Sequence, residues 1–414
     1  MRLASWAAAA GFSLLAALPA ANAGQPITIG FDIEETGSLA VNGKASLLAY
    51  KIWEQYVNGH GGLLGRPVKL VYYDDQSNPA LVPGIVTKLL DVDHVDILLG
   101  ENGTNLIAPA MPIFIQHNLT MLSLFGLDVN KDFHYKNYFS MIPSGGLHPA
   151  QAMGGGFFKM AAAMEPRPNT IAILGADNDF SIHGMDGGRE LAKQMGLKIV
   201  YDHTYPPTTV DYSPIIRAVQ ATHPDLVFVA SYPADTVGII RAVGEVGLKC
   251  RMFGGAMVGL QSTAIKQQLG PLLNGIEDYD FWQPVKDFAT PQAMEFLKEY
   301  QPKAVAEHID PLGYYLPPFA YSDMQVLQQA IEGTQSLDQA KLADYLRTHT
   351  FHTIVGDVKF GPNGEWAEPR VLAVQFEGVT GHDLEQFRGS SVEKVLWPPQ
   401  YQTSTLQAPY NSKP

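Results

Sequence analysis

The chain has 414 residues, of which 46% are hydrophobic and 17% charged, so it can bury large cores and is too long for a typical single domain. With 41 Asp and Glu against 28 Lys and Arg, its net charge of −13 excludes a basic surface for nucleic acid or anionic lipid. The single cysteine, Cys250, excludes an intramolecular disulfide and reads as a small buried hydrophobe in an apolar strand.

At the N-terminus Arg2 precedes an apolar run from Leu3 to Leu18 and then Ala21-Asn22-Ala23, the pattern of a secretory signal cleaved after Ala23. The run is too short to span a bilayer. No cysteine stands at the cleavage site to carry a lipid, so the mature chain is expected free in the periplasm, without a direct membrane anchor.

From Ile27 onward, short Val, Ile and Leu runs alternate with helical patterns. "ITIGFD", "VKLVYYDD", "VDILLG" and "LTMLSL" are separated by helices starting near Lys44, Asn78 and Thr104. After "FSMIPSGG" the rhythm restarts with "NTIAILG", "GLKIVYDHTY", "PDLVFVAS" and "KCRMFGG", each followed by a helix-length amphipathic stretch. Alternation of this kind predicts α/β architecture, with parallel sheets covered by helices on both faces. Because it occurs twice, two doubly wound lobes are expected, with ligands gathering at the carboxyl ends of the strands. Helical segments from about Pro291 to Arg347 follow, then "FHTIVGDVKFGPNGEWAEP" and "RVLAVQFEG".

Signatures of enzymes and cofactors are missing from this frame. The first strand leads into "DIEETGSLAVNG" without Gly-x-Gly-x-x-Gly, and there is no phosphate-cradling Gly-Lys-Ser/Thr, His-Glu-x-x-His or Gly-x-Ser-x-Gly. "DNDFSIHG" places Asp177, Asp179 and Ser181 as in a calcium loop, but Ile182 stands where glycine must make the turn. The twelve histidines have no metal-ligand spacing. Neither a cofactor, a metal nor an enzymatic activity is expected.

Taken in order, "ITIGFDIEETGSLAVNGKASLLAYKIWEQYVNGHGGLLGRPVKLVYYDDQSNPA", "LLGENGTNLIAPAMPI", "VDYSPIIRAVQATHPDLVFVA", "RAVGEVGLK" and "GDVKFGPNGE" resemble the periplasmic binding proteins of branched-chain amino acid type ABC transporters. The likeness runs from Ile27 to about Gly378. It implies a type I periplasmic binding protein fold: two lobes joined by three hinge crossings, here near Ser140 to Ser144, Tyr279 to Trp282 and Thr350 to Val355. Lobe one would be 24–141 plus 283–350, lobe two 142–282 plus 351–383, and 384–414 a surface tail. The implied partners are a small-molecule ligand and an ABC permease in the inner membrane, with the binding protein acting as a monomer.

The resemblance also implies ligand positions. In "GENGTN" a hydroxyl at a helix start holds a ligand carboxylate, which falls on Thr104 beside Asn102 and Gly103; simple helix capping is the alternative. The next strand end supplies Phe125, Gly126 and Leu127, with Ser123 behind them. In lobe two, Phe180 stands where a covering tyrosine is usual, Ser231 and Tyr232 share a second aromatic position, and Trp282 is a further candidate wall. Amino-acid binders of the family carry an acidic residue for the ligand's ammonium at a place that falls here on Ala256 or Met257. An ammonium enclosed without a counter-charge costs several kcal/mol, so the expected ligand is a small organic acid with an apolar, aromatic body. Glu101, Asp177 or Asp179 could supply the missing charge from another direction, which keeps uptake of an aliphatic amino acid or small amide open. A ligand-sensing protein of the same fold is open as well.

Overall fold

The computed structural model describes residues 24–411. The leader expected at 1–23 lies outside the described residues.

Lobe one is built on parallel strands. β1 (Ile27–Ile33) lies between β2 (Val68–Asp74) and β3 (Ile97–Leu98), and the β3 segment continues past Leu99 as β4 (Gly100–Asn102), which pairs with β5 (Met121–Phe125) and through it with β6 (Tyr138–Ser140). Ile27, Ile29, Phe31 and Ile33 on one face of β1 are fully buried, and Gly30 and Asp32 on the other face are buried as well, since helices cover both faces. The helices are α1 (Ala40–Gly59), α2 (Val82–Asp91), α3 (Thr104–Gln116) and the single turn α4 (Asn130–Phe133).

Lobe two alternates α5 (Pro149–Ala162), β7 (Thr170–Ala176), α6 (Asp179–Gln194), β8 (Lys198–Tyr205), α7 (Ser213–Ala221), β9 (Leu226–Ser231), α8 (Pro233–Val246), β10 (Lys249–Cys250), β11 (Met252–Met257), α9 (Thr263–Leu269) and β12 (Glu277–Asp280). The Asn178 side chain accepts from the Ser181 N–H at 2.9 Å, so "DNDFS" is the cap of α6. The chain then returns to lobe one as α10 (Pro291–Ala306), α11 (Leu316–Thr334) and α12 (Gln339–Thr348); Trp53 Nε1 on α1 donates to Gln328 Oε1 on α11 at 3.1 Å.

Two boundaries differ from expectation. Phe351–Thr353 (β13) and Gly356–Val358 (β14) form an antiparallel hairpin that stays with lobe one: Phe360 meets Phe139 at 5.2 Å and the Ser140 N–H donates to Gly364 O at 2.9 Å. The third crossing therefore comes later than Thr350 to Val355, near Arg370, whose N–H donates to Pro143 O at 2.8 Å. Nor is 384–414 only a surface tail. After β15 (Leu372–Phe376) adds antiparallel to β12, β16 (Glu393–Trp397) pairs antiparallel with β15 and buries Val395 completely. The seven-stranded order is β16-β15-β12-β11-β9-β7-β8. β17 (Tyr410–Asn411) pairs with β10. A buried ion pair between Lys266 on α9 and Glu393 on β16 ties the last strand down. Five-residue strands beside Pro398-Pro399 are too short for an apolar period to stand out, which is why both segments read as irregular.

Candidate functional site between the lobes

The lobes meet across the carboxyl ends of their parallel strands, and the lobe-one wall is organised by the start of α3. Gly103 adopts φ 105°, a left-handed conformation that favours glycine, and its N–H donates to Phe125 O at 2.9 Å. The N–H groups of Leu106 and Ile107 both reach Gly103 O, which leaves those of Thr104 and Asn105 leading the helix without an intrahelical acceptor. Thr104, 2% exposed, accepts the Leu127 N–H on Oγ1 at 3.0 Å and keeps its hydroxyl hydrogen to donate. An anion placed here meets donors and the positive end of the helix dipole.

Phe125 is braced by the second crossing: its ring lies 5.4 Å from Phe281, 5.6 Å from Tyr315 and 5.2 Å from Phe319. From lobe two, Phe180 stacks on Tyr232 with centroids 4.9 Å apart. At the cleft, Tyr232 Oη donates to Asn105 Oδ1 at 2.6 Å and His183 Nδ1 lies 2.9 Å from Leu127 O, each bridging the lobes. Enclosed among these groups is a cavity of about 20 Å³, room for about one water, so the lobes must part to admit a solute. Outside Tyr232 a groove of about 690 Å³ runs along the cleft mouth.

Seven of the residues singled out in the sequence wall the cavity together: Asn102, Gly103, Thr104, Phe125, Leu127, Phe180 and Tyr232. The others do not. Gly126 is turned into lobe one, where a side chain would collide with Ile107 and Val129. Ser231 is bonded at 2.7 Å to Thr236 Oγ1, which itself donates to Val258 O. Ala256 packs toward Gly184 on α6, and the Met257 N–H is held by Asp278 Oδ1 at 3.0 Å inside lobe two. The cleft-facing side chain of that loop is Val258, one residue beyond the expected pair. Ser123 donates to Phe139 O within the sheet, and Trp282 packs on Tyr314 at 5.2 Å, away from the cavity.

Sequence reasoning passed over Asn42, Ile142, Met153, Val258 and Tyr315, which complete the wall from five separate places in the chain. Glu101 apart, it also passed over a set of buried carboxyls in lobe one. Asp32, Glu34, Asp75, Glu101 and Asp323 are at most 3% exposed, and burial raises each above the ordinary carboxylate range, reinforced for Asp32, Glu34 and Glu101 by neighbouring carboxyls of the set and for Asp75 by Asp74. Glu101 does not face the cavity: it accepts from Tyr50 Oη at 3.3 Å, and Tyr50 also reaches Asp323. Asp177 and Asp179 line the outer groove. Glu34, by contrast, lies at the end of β1 with Oε2 against Gly43, next to Asn42, and neither oxygen has a hydrogen-bond partner. An acidic residue inside the apolar strand "ITIGFDIEE" was the signal that could have found it.

Two α/β lobes, three crossings and a cleft at the strand ends define a class of proteins that enclose a solute between hinged lobes. The chain belongs to the periplasmic binding protein family, whose model matches residues 26–380. It is 24% identical over 334 residues to the leucine-, isoleucine-, valine-, threonine- and alanine-binding protein of Pseudomonas aeruginosa, a match spanning 80% of this chain and 84% of that one. A leucine binding protein from Thermotoga maritima has a similar fold, with a TM-score of 0.71 at 18% identity over 86% of this chain and 96% of its own. So does a solute binding protein of an ABC transporter from Rhodopseudomonas palustris solved with p-hydroxybenzoic acid, with a TM-score of 0.72 at 17% identity over 94% and 98%. The chain is a solute-binding protein of the leucine-binding-protein type and not an enzyme. Among the described residues no helix is long and apolar enough to cross a membrane.

Proposed function

We infer that this chain is the periplasmic component of an ABC importer that delivers a small aromatic carboxylate to its permease. The observation that carries this reading is the asymmetry of the cavity wall. One end offers Thr104 and the leading N–H groups of α3, and the other is Val258 with the rings of Phe180, Tyr232 and Phe125. Such a wall suits an anion attached to a flat apolar body. The fold neighbour solved with p-hydroxybenzoic acid supports the same class of ligand.

An amino acid would need a counter-ion for its ammonium. Glu34 lies behind the lobe-one wall, but burial and the negative charges of Asp75 and Asp32 raise it well above the ordinary carboxylate range. A shift in that direction disfavours the charged form that a counter-ion requires. A thermal-shift screen of the mature protein against aromatic acids, aliphatic amino acids and amides tests the reading. At one hundred times its dissociation constant the true ligand adds about 2.7 kcal/mol of stability. Stabilisation by leucine or isoleucine, with no response to any aromatic acid, would overturn it.

A further inference from the structure

Glu34 makes no ion pair and no hydrogen bond of ordinary geometry, although the Asn102 amide stands beside it. Its side chain is fully buried, and both carboxyl oxygens are without a hydrogen bond, whereas Asp75, Glu101 and Asp323 each keep one oxygen bonded to Ser77, Tyr50 and Tyr50 respectively. No Lys or Arg lies close enough to make an ion pair with it among the described residues. A buried polar group in this condition costs stability, and such groups persist where something else uses them.

Glu34 is not itself a wall of the closed cavity, but it lies directly behind residues that are. Oε2 lies against Gly43, whose neighbour Asn42 walls the cavity. Asn102, a second wall residue, stands beside the carboxyl, and Tyr232 of the other lobe lies within electrostatic range of it. A solute seated against Thr104 and Asn102 in the opened cleft therefore has the Glu34 carboxyl behind this wall.

We propose that Glu34 is a specificity-determining residue that accepts a hydrogen bond from a hydroxyl or amino substituent on the ring of the bound acid, so that the preferred ligands are aromatic carboxylates bearing such a donor. This rests on the aromatic-carboxylate reading of the cleft and narrows it. Unsubstituted benzoate leaves the Glu34 oxygens buried and unpaired, whereas a donor-bearing ring satisfies one of them. Sites built to bond a substituent discriminate strongly against the analogue that lacks it.

Calorimetric titration of the full mature chain with benzoate, 3-hydroxybenzoate, 4-hydroxybenzoate, 4-aminobenzoate and leucine tests the proposal. The wild type is expected to bind at least one donor-bearing acid roughly tenfold or more tighter than benzoate, as expected for a buried polar group gaining its partner. In Glu34→Met the ratio between that acid and benzoate falls to near one. The melting temperature of ligand-free Glu34→Met should equal or exceed that of wild type, because an orphaned carboxyl has been removed. If wild type binds benzoate as tightly as every substituted acid, or if Glu34→Met keeps the ratio, the role of Glu34 is refuted while the aromatic-acid reading stands. A large drop in melting temperature would refute it too, by showing Glu34 to be structural. Binding of leucine with none of the aromatic acids would refute both.

Discussion

Val258→Asp is the substitution that asks most sharply what the lobe-two wall is for. Val258 is 4% exposed and shares a cavity of about 20 Å³ with Thr104, so any occupant of the closed cleft touches both walls. A carboxylate at residue 258 would face a ligand carboxylate held at α3 across the cleft, at a separation taken as about 6 Å for the Coulomb estimate. With an effective dielectric near 20, repulsion at that distance is about 3 kcal/mol, or roughly a hundredfold in affinity. Val258→Asn is the matched control, equally polar and uncharged, and should lose only the part due to desolvation of the pocket. The same aspartate offers an ammonium the counter-ion the wild-type wall lacks, so a measurable affinity for leucine or alanine is expected to emerge. Calorimetric titration of wild type and both variants with an aromatic acid and with leucine decides it. Should Val258→Asp bind the aromatic acid as well as Val258→Asn does, the ligand's anionic end is not at Thr104 and the orientation argued here is wrong.

Thr104→Val removes the acceptor of the Leu127 N–H and the donor for the ligand together; melting stability should fall by about 1–3 kcal/mol and affinity by a similar amount, whereas Thr104→Ser retains most of both. Tyr232→Phe deletes the bridge to Asn105, so the closed state loses about 1 kcal/mol and small-angle scattering of the ligand-free protein should show a larger radius of gyration; an unchanged radius would mean the bridge does not hold the lobes. Burial holds Asp323 at about 8, above the ordinary carboxyl value near 3.9, so folding takes up a proton in that window and stability falls as pH rises from about 4 to 8. Asp323→Asn should therefore show a shallower loss of melting temperature between about pH 5 and 8 than wild type, and an equal slope would assign the loss to other groups. Mass spectrometry of exported protein should find a chain beginning Gly24-Gln25-Pro26, and a retained leader would contradict periplasmic release.

The double α/β rhythm was readable because buried parallel strands such as "ITIGFDI" and "DLVFVAS" are continuous apolar runs bounded by turns. Thr104, Phe125, Phe180 and Tyr232 were found through the family resemblance, which places ligand positions at or near the ends of parallel strands. Placement failed by a single residue at "GGAMVGL". Gly254 and Gly255, at φ 155° and 128°, bring the strand against its neighbours, and Asp278 takes the Met257 N–H, so the side chain that emerges at the cleft is that of Val258. Asn42, Met153 and Tyr315 had no readable signal. They reach the cavity only after α1, α5 and the segment before α11 have packed, and nothing in their local sequence distinguishes them from other buried positions. The hairpin at 351–358 and the edge strand at 393–397 were missed because strands of three to five residues carry too few alternations to rise above loop composition.

The central claim, that an aromatic carboxylate is enclosed between the lobes with its anionic end at the start of α3, is tested most directly by a crystal structure of the mature protein with the acid that stabilises it best. The account predicts the carboxylate within hydrogen-bond distance of Thr104 Oγ1 and the Thr104 or Asn105 N–H, with the ring between Phe125 and Phe180. A ligand with its carboxylate at Val258, or one seated in the outer groove between Asp177 and Tyr212, would contradict it.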